Sequence, residues 1–421
     1  MYKRQIPTKA LLKSAQVFQY INHAKDYGIT VGNAEADFGA VIKRSRDVAN
    51  GMSKGVNFLM KKNKIDIIEG AGRVKPGKKV EVEKDGKKTE YTATSIIIAT
   101  GGRARQLPTV PIDGQKVIEY RKAMSLEKQP KSLLVIGSGA IGVEFAYVYA
   151  SMGTKVTIVE FMPNVVPVED EEISKELAKQ YKKMGIEIHL NSSVEKVDTS
   201  GAGCVSTVKT PSGEIKIETD IVLSAAGVVA NIENIGLEET GIKVEKGKIT
   251  TDDYYQTTVP GYYAIGDVTK GQALAHVASA EGIICVEKIA GQNVHPLNYN
   301  NIPGCTYCTP EIASVGYTEK AAKEAGYEIK VGKFPFSASG KAKAAGTPEG
   351  FVKVIFDAKY GEWLGAHMIG TNVTEMIAEV VVARNLETTG HEIVKSVHPH
   401  PTMSEAIMEA AAAAYGEVIH L

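Results

Sequence analysis

The sequence predicts an α/β fold containing a doubly wound nucleotide-binding domain, and three observations carry that reading. Residues 131–160, KSLLVIGSGAIGVEFAYVYASMGTKVTIVE, run from an apolar stretch through a glycine turn and a helical pattern into a second apolar stretch. Further runs of buried-strand type, SIIIAT (95–100) and DIVLSAAG (220–227), lie on either side of it. Helical patterns at 10–20 and 38–60 precede them. Strands that alternate with helices imply parallel pairing, because a parallel return needs a crossover that a helix supplies.

In the 131–160 unit, Leu133–Ile136 is continuously apolar, as a strand covered on both faces must be. Gly137 permits a tight turn, Gly139 lets a backbone approach a pyrophosphate, and Gly142 lets helix and strand pack closely. Phosphates would sit on the helix N-terminus, where unpaired N–H groups favour negative charge. Val156–Val159 ends in Glu160, about 20 residues past the glycines, where an acid accepts from a ribose 2′-OH and repels a 2′-phosphate. The expected ligand is therefore NAD rather than NADP. Its candidate contacts are Gly137, Ser138, Gly139, Ala140, Ile141, Gly142, Val143, Glu144 and Glu160. A lone GxGxxG is a weak signal. Glycines of an ordinary turn would not explain the second strand or its terminal acid.

Composition fits an ordinary soluble enzyme of two to four domains. Lys+Arg and Asp+Glu both number 49, so net charge does not favour a nucleic-acid partner. No apolar run reaches transmembrane length, and the opening Met-Tyr-Lys-Arg-Gln has no targeting character, so a cytoplasmic location without a membrane partner is expected. Four scattered cysteines do not make a secreted disulfide framework.

The remaining elements follow in order. Pro7 suits a first helical turn, and Gly28 should stop the first helical element. Short strands through residue 87 are separated by Gly70, Gly72, Gly77 and Gly86. SIIIAT ends in Gly101-Gly102. After DIVLSAAG, the segment TTVPGYYAIGD should be a strand ending in Gly266-Asp267. The last block should hold strands at 312–315 and 351–356, a helix at 375–384 and the tail HPHPTMSEAIMEAAAAAYGE. Cys305-Thr306-Tyr307-Cys308 has the spacing of a redox or metal motif. It is bracketed by Pro303 and Pro310, starts no helix, and has no further ligand pair nearby, so it is read as structural and no metal is expected.

IPTKALL, ATGG, GSGAIGVE with VTIVE, YAIGD followed by ALAH, and HPHPTMSE occur in that order with fitting spacing. The chain from Ile6 to Leu421 resembles the pyridine nucleotide–disulfide oxidoreductases, most of all the lipoyl enzymes among them. Glutathione reductases share HPT and the glycines but use NADPH and would want basic residues near Glu160. Mercuric reductases lack the histidine tail. The resemblance implies two doubly wound nucleotide-binding domains, the first incomplete, and a C-terminal α+β dimerisation domain. Its boundaries would be 1–102 and 228–299 for the FAD-binding domain, 103–227 for the NAD-binding domain, and 300–421 for the interface.

The departure from the family lies at the start. There, IPTKALL follows a CxxxxC redox pair, itself preceded by a first GxGxxG for FAD; here Gln5 stands in the second cysteine's place. The expectation is a truncated chain, inactive as given. By resemblance, Lys9, Gly72, Thr100, Gly101, Gly102, Asp267, Ala273, Leu274, Ala275 and His276 would contact FAD. Val194 and Gly227 would contact NAD through their backbones, and Glu144 would face the nicotinamide ribose. Without the family match, Lys9 would be a solvated helix lysine, His276 a core histidine, and Gly72 a turn. His400 would be the base that takes a thiol proton, with Glu405 fixing its other nitrogen. Thr402-x-x-Glu405 is also a capping box. His398 is given no role. The implied activity is NAD-dependent oxidation of dihydrolipoamide, on a lipoyl carrier, by a homodimeric E3 component of a 2-oxo-acid dehydrogenase or glycine-cleavage system. The alternative is a non-catalytic NAD-binding remnant or interaction subunit.

Overall fold

The structure is a computed structural model that describes residues 5–421, so the reading of the first four residues lies outside it. The chain forms two compact units. One comprises residues 50–105 and 227–299; the described residues of the other are 5–49, 106–226 and 300–421.

The larger unit holds the nucleotide-binding motif. Its five-stranded parallel sheet runs Val117–Ile118, Ile221–Ser224, Ser132–Ile136, Lys155–Val159, Glu187–His189. Strand alternation sorts the side chains. Leu134 and Ile136 pack with Val194, Cys204 and Val208 of an antiparallel meander, while Val135 contacts Gly142 of the helix Ala140–Ser151. One face of this sheet is thus covered by the meander (Ser193–Asp198, Cys204–Thr210, Gly213–Thr219), whose polar alternation suits a half-exposed sheet. The N-terminal helix, Gln5–Asn22, packs on Ala140–Ser151, which is why residues 5–49 cluster here. Gly28, at φ 73°, ends the short turn of helix that follows.

The C-terminal part of this unit is a five-stranded antiparallel sheet, ordered Gly304–Thr306, Glu311–Gly316, Trp363–Gly370, Phe351–Asp357, Ile329–Pro335. Phe351–Asp357 and Trp363–Gly370 are buried along their whole length. The helices Val373–Asn385 and Glu405–Tyr415 contribute Met376, Ile377, Val380, Ala406, Ile407 and Ala410 to its core. Full burial of Phe351–Asp357 includes Lys353, only 2% exposed, whose ammonium meets Asp170 at 3.0 Å, Glu172 at 2.9 Å and Glu319 at 2.8 Å. Asp170 also caps the helix Glu171–Lys183 by accepting from the Glu172 amide.

The smaller unit is built on short strands. Ile96–Ile98 pairs in parallel with Tyr262–Ala264, and Gly102–Ala104 pairs antiparallel with Val228–Ala230. A meander (Ala71–Lys75, Lys79–Lys84, Lys87–Thr92) completes the set, and Val74, Ile96, Ile98, Leu237, Ile249 and Tyr262 form the core. The helix Ala275–Ile289 follows.

Removing Lys353 leaves the buried Asp170 carboxylate without its counter-charge, so Lys353→Met should destabilise the protein by about 3–5 kcal/mol in chemical denaturation. Burial works against the Asp170 charge, but the Glu172 amide and Lys353 hold its carboxyl below the usual range. That contribution is present above an ordinary carboxylate pKa of about 4 and is lost as pH falls through the depressed value. Acid-side loss of stability should therefore be shallower in Lys353→Met than in the parent.

Candidate functional site

The glycine loop takes its form from two close contacts. Gly137 has φ 92°, and a Cβ there would lie 2.8 Å from the Ala225 carbonyl at the end of the neighbouring strand. A Cβ on Gly142 would lie 2.0 Å from the Gly137 carbonyl, so only glycine lets the helix close on the loop. Gly139 is different: it caps the helix, and nothing lies within 4 Å of where its Cβ would be. The open space faces a 12-residue helix N-terminus led by Ala140 and Ile141, at the point where neighbouring strands leave in opposite sequence directions. Val143 is fully buried, and its carbonyl accepts from Tyr181 Oη at 2.7 Å.

Glu160 follows the next strand and is 6% exposed. One oxygen accepts from both the amide and the hydroxyl of Ser138, each at 2.7 Å, and the other accepts from the Met162 amide at 2.8 Å. The acid therefore ties down the loop, a task that spacing alone does not reveal. Val194 is the second residue of the meander strand Ser193–Asp198, and the strand's bulge follows it.

Lys9 and Glu144, 135 positions apart, meet on the faces of two packed helices. Lys9 Nζ lies 2.8 and 2.9 Å from the two Glu144 oxygens, and the Tyr307 amide donates to Oε1 at 3.0 Å. The ammonium also stands 4.2 Å from the centre of the Tyr307 ring. Tyr307 was missed in the sequence, because it sits inside the CTYC segment that draws attention to its cysteines. Burial pushes the Cys305 thiol up to about 11 and that of Cys308 to about 12, so both are protonated at neutral pH and neither is an activated nucleophile.

His400 and Glu405 are in contact. His400 Nδ1 lies 2.8 Å from Glu405 Oε1, while Glu405 Oε2 accepts from the Thr402 amide at 2.7 Å. The histidine side chain is 79% exposed. Burial raises the Glu405 carboxyl, but the Thr402 amide and His400 outweigh it and hold it below the usual range. The helix begins at Glu405 rather than near Thr402, and the capping box is half-formed: Thr402 Oγ1 donates to the Pro399 carbonyl instead.

The smaller unit carries a second group of the expected residues. Thr100 Oγ1 donates to the Asn231 carbonyl at 2.6 Å, and the Asn231 amide returns a bond to the Thr100 carbonyl. Gly101 has φ 70° with open space at its Cβ position; a Cβ on Gly102 would press on the Val229 carbonyl and on Asp267 Oδ2. Asp267 is not the last residue of a strand, as expected, but lies in a 3-10 turn, Gly266–Val268, after Tyr262–Ala264. That turn is held by Glu281, a buried carboxylate absent from the sequence-based expectations, which accepts from the Gly266 amide at 2.5 Å and from Tyr299 Oη at 2.7 Å. Ala273 and Leu274 lead into the helix that opens with Ala275 and His276. Gly72 is an exposed residue of the strand Ala71–Lys75, and the Gly227 carbonyl accepts from the Arg105 amide at 3.0 Å.

Residues 1–282 match the family model for the pyridine nucleotide-disulphide oxidoreductases, and residues 302–411 match that family's dimerisation domain. The chain is 50% identical to a dihydrolipoyl dehydrogenase of Rhizobium etli, over 99% of this chain and 90% of the relative. It is 47% identical to that of Zymomonas mobilis, with the same coverage, and 42% identical to that of Bacillus subtilis over 100% of this chain and 91% of the relative. Among solved structures, LpdA from Mycobacterium tuberculosis superposes with a TM-score of 0.90 at 26% identity, covering 97% of this chain and 90% of that one. The HOCl-induced flavoprotein disulfide reductase RclA from Escherichia coli gives 0.84 at 27%, covering 97% and 89%.

Lys9→Met should leave Glu144 charged and buried with only the Tyr307 amide. The expected cost in urea unfolding is about 2 kcal/mol, below the 3–5 kcal/mol of fully enclosed pairs because Lys9 stays partly exposed. Adding Glu144→Gln to Lys9→Met should restore part of that loss.

Proposed function

Because the chain belongs to the pyridine nucleotide–disulphide oxidoreductase family, we propose that it catalyses NAD-dependent oxidation of dihydrolipoamide to lipoamide, as the E3 component of a 2-oxo-acid dehydrogenase or glycine-cleavage system. The two thiols become one disulfide, and their hydrogens leave as a hydride to NAD+ and a proton. The protein is an oxidoreductase with FAD and NAD as its cofactors.

The dinucleotide loop fits NAD, since the space at Gly139 is open at a helix N-terminus. Gly137, Ser138, Gly139, Ala140, Ile141, Gly142 and Val143 would hold the pyrophosphate side, with Glu144 at the nicotinamide ribose and Glu160 at the adenosine ribose. Val194 and Gly227 would add backbone contacts. Gly101 leaves comparable space, and Asp267, against Gly102, supplies a carboxylate suited to the hydroxyls of FAD. Lys9, Gly72, Thr100, Ala273, Leu274, Ala275 and His276 would complete the flavin set. When bound, FAD supplies the electron-pair relay between thiols and nicotinamide.

The observation that carries this reading is the His400–Glu405 contact. A carboxylate on Nδ1 favours the tautomer with its proton there, which leaves Nε2 to take a proton from a thiol and stabilises the imidazolium that forms. An exposed imidazole suits a substrate presented on a carrier. A second copy would join through the segment that matches the dimerisation-domain model. Among the described residues no helix is long and apolar enough to cross a membrane, and we place the reaction in the cytoplasm.

NADH should bind at least about tenfold tighter than NADPH, or roughly 1.4 kcal/mol, in fluorescence titration of the chain. Equal affinities would remove Glu160 from the ribose. These 421 residues by themselves should hold FAD poorly, since their GxGxxG is the one at 137–142; stoichiometric flavin absorbance would argue for a different cradle. In a chain given a first GxGxxG and a CxxxxC pair ahead of Ile6, dihydrolipoamide oxidation should appear. His400→Gln should then slow the thiol half-reaction by about 10² to 10⁴, and Glu405→Ala by less. NADH oxidation by an artificial acceptor should survive both. Unaltered lipoamide turnover in His400→Gln would overturn the base assignment, and no turnover in the chain carrying the added motifs would favour an NAD-binding subunit without catalysis.

A further inference from the structure

The tail HPHPTMSE contains two imidazole–carboxylate pairs, and the site described above uses one of them. His398 makes the other. Its side chain is 8% exposed; Nε2 lies 2.8 Å from Glu379 Oε1, on the helix Val373–Asn385, and Nδ1 lies 3.0 Å from the Ser396 carbonyl. Both partners can only accept. A neutral imidazole carries one N–H and satisfies one of them, whereas the imidazolium satisfies both. The Glu379 bond, working against burial, holds His398 above the ordinary histidine range, in keeping with that charge.

The surrounding chain explains why such a tie is useful. Pro399 and Pro401 have no N–H, so the backbone on either side of His400 has few donors with which to dock. The segment is held by side chains instead. Thr402 Oγ1 bonds the Pro399 carbonyl on the C-terminal side, and His398 reaches the neighbouring helix on the N-terminal side.

We propose that the His398–Glu379 ion pair is a positioning device for His400, clamping the extended segment to the helix Val373–Asn385 so that His400 Nδ1 stays on Glu405. His398 touches no reacting atom in this arrangement; it acts through His400. The charged groups facing it are Glu379 on that helix and Glu405 at the start of the helix Glu405–Tyr415. Because the His398 pKa is raised in the folded state, the clamp is at full strength below the unfolded value of about 6.5 and is lost as pH rises through the folded one. Positioning should loosen on the alkaline side. Calling His400 a base rests on the function proposed above; the clamp itself does not.

Hydrogen exchange at the Thr402 amide reads the device directly, because that amide is bound to the other oxygen of Glu405. In the chain as it stands, His398→Ala should speed Thr402 exchange by about tenfold or more, the worth of a charge-assisted hydrogen bond. Glu379→Gln, which keeps an acceptor but removes the charge, should fall between parent and His398→Ala. Thr402 protection in the parent, corrected for intrinsic exchange, should fall as pH rises through the raised His398 pKa, and this dependence should vanish in His398→Ala. Exchange within the helix Val373–Asn385 should stay unchanged in both variants, which separates a loosened segment from a damaged fold. If His398→Ala does not fold, the pH profile of the parent and Glu379→Gln decide. Parental Thr402 protection in folded variants, or a flat pH profile in the parent, would overturn the proposal. Dihydrolipoamide turnover tests His400 as base and Thr402 exchange tests the clamp, so either reading can fail alone.

Discussion

Glu144 joins three stretches of chain that are far apart in sequence. Its own helix follows the dinucleotide loop, Lys9 comes from the N-terminal helix, and the Tyr307 amide comes from the entry to the C-terminal sheet. These are the three segments, before residue 50, between 106 and 226, and after 300, that make up the larger unit. A buried carboxylate is costly unless its lone pairs are filled, so burial of Glu144 holds only while all three segments are in place. Lys353 repeats the device with the sign reversed, as a buried ammonium on the C-terminal sheet facing carboxylates from the start of the helix Glu171–Lys183 and from the helix Glu319–Glu324. Apolar packing gives each layer its core. These polar ties specify how the layers meet.

The two kinds of functional residue differ in their surroundings. Around the dinucleotide loop, geometry is fixed from within: Gly142 seats on the Gly137 carbonyl, and Glu160 fills its lone pairs with Ser138 and Met162. What stays open is the space at Gly139 beside the helix N-terminus. Open space beside a helix N-terminus agrees with the dinucleotide site proposed above. At the tail the arrangement is the opposite, since the His400 ring is largely exposed and its order comes from the groups behind it. In the reaction proposed above the imidazole would meet a substrate carried on another molecule, so it would face outward and take its orientation from its carboxylate and its backbone.

Much of the fold was legible in the sequence because its signals are local. Continuous apolar runs mark strands covered on both faces, and Leu133–Ile136, 156–159 and 351–356 all lie in such strands. Glycine spacing marked the loop, and the helices at 10–20 and 38–60 were visible from periodicity. The parallel sheet's second cover was less legible. The 193–219 region carries no strand assignment from the sequence, and its role against Leu134 and Ile136 depends on a distant register. Asp267 was placed at a strand end because Tyr-Ala-Ile-Gly-Asp continues an apolar run; the turn that displaces it is imposed by Glu281, fourteen positions further on.

The sequence by itself determined the elements, the dinucleotide loop, the acid that ends its second strand, and the family to which the motifs point. Each of these depends on spacing within a few tens of residues, over which backbone propensity and side-chain period act directly. The pairing of Lys9 with Glu144 and Tyr307, the enclosure of Lys353, the filling of Glu160 by Ser138 and the seating of His398 on Glu379 were decided only by the tertiary structure. A buried charge takes whichever partners packing brings within about 3 Å, and no local rule of spacing says which residues those will be.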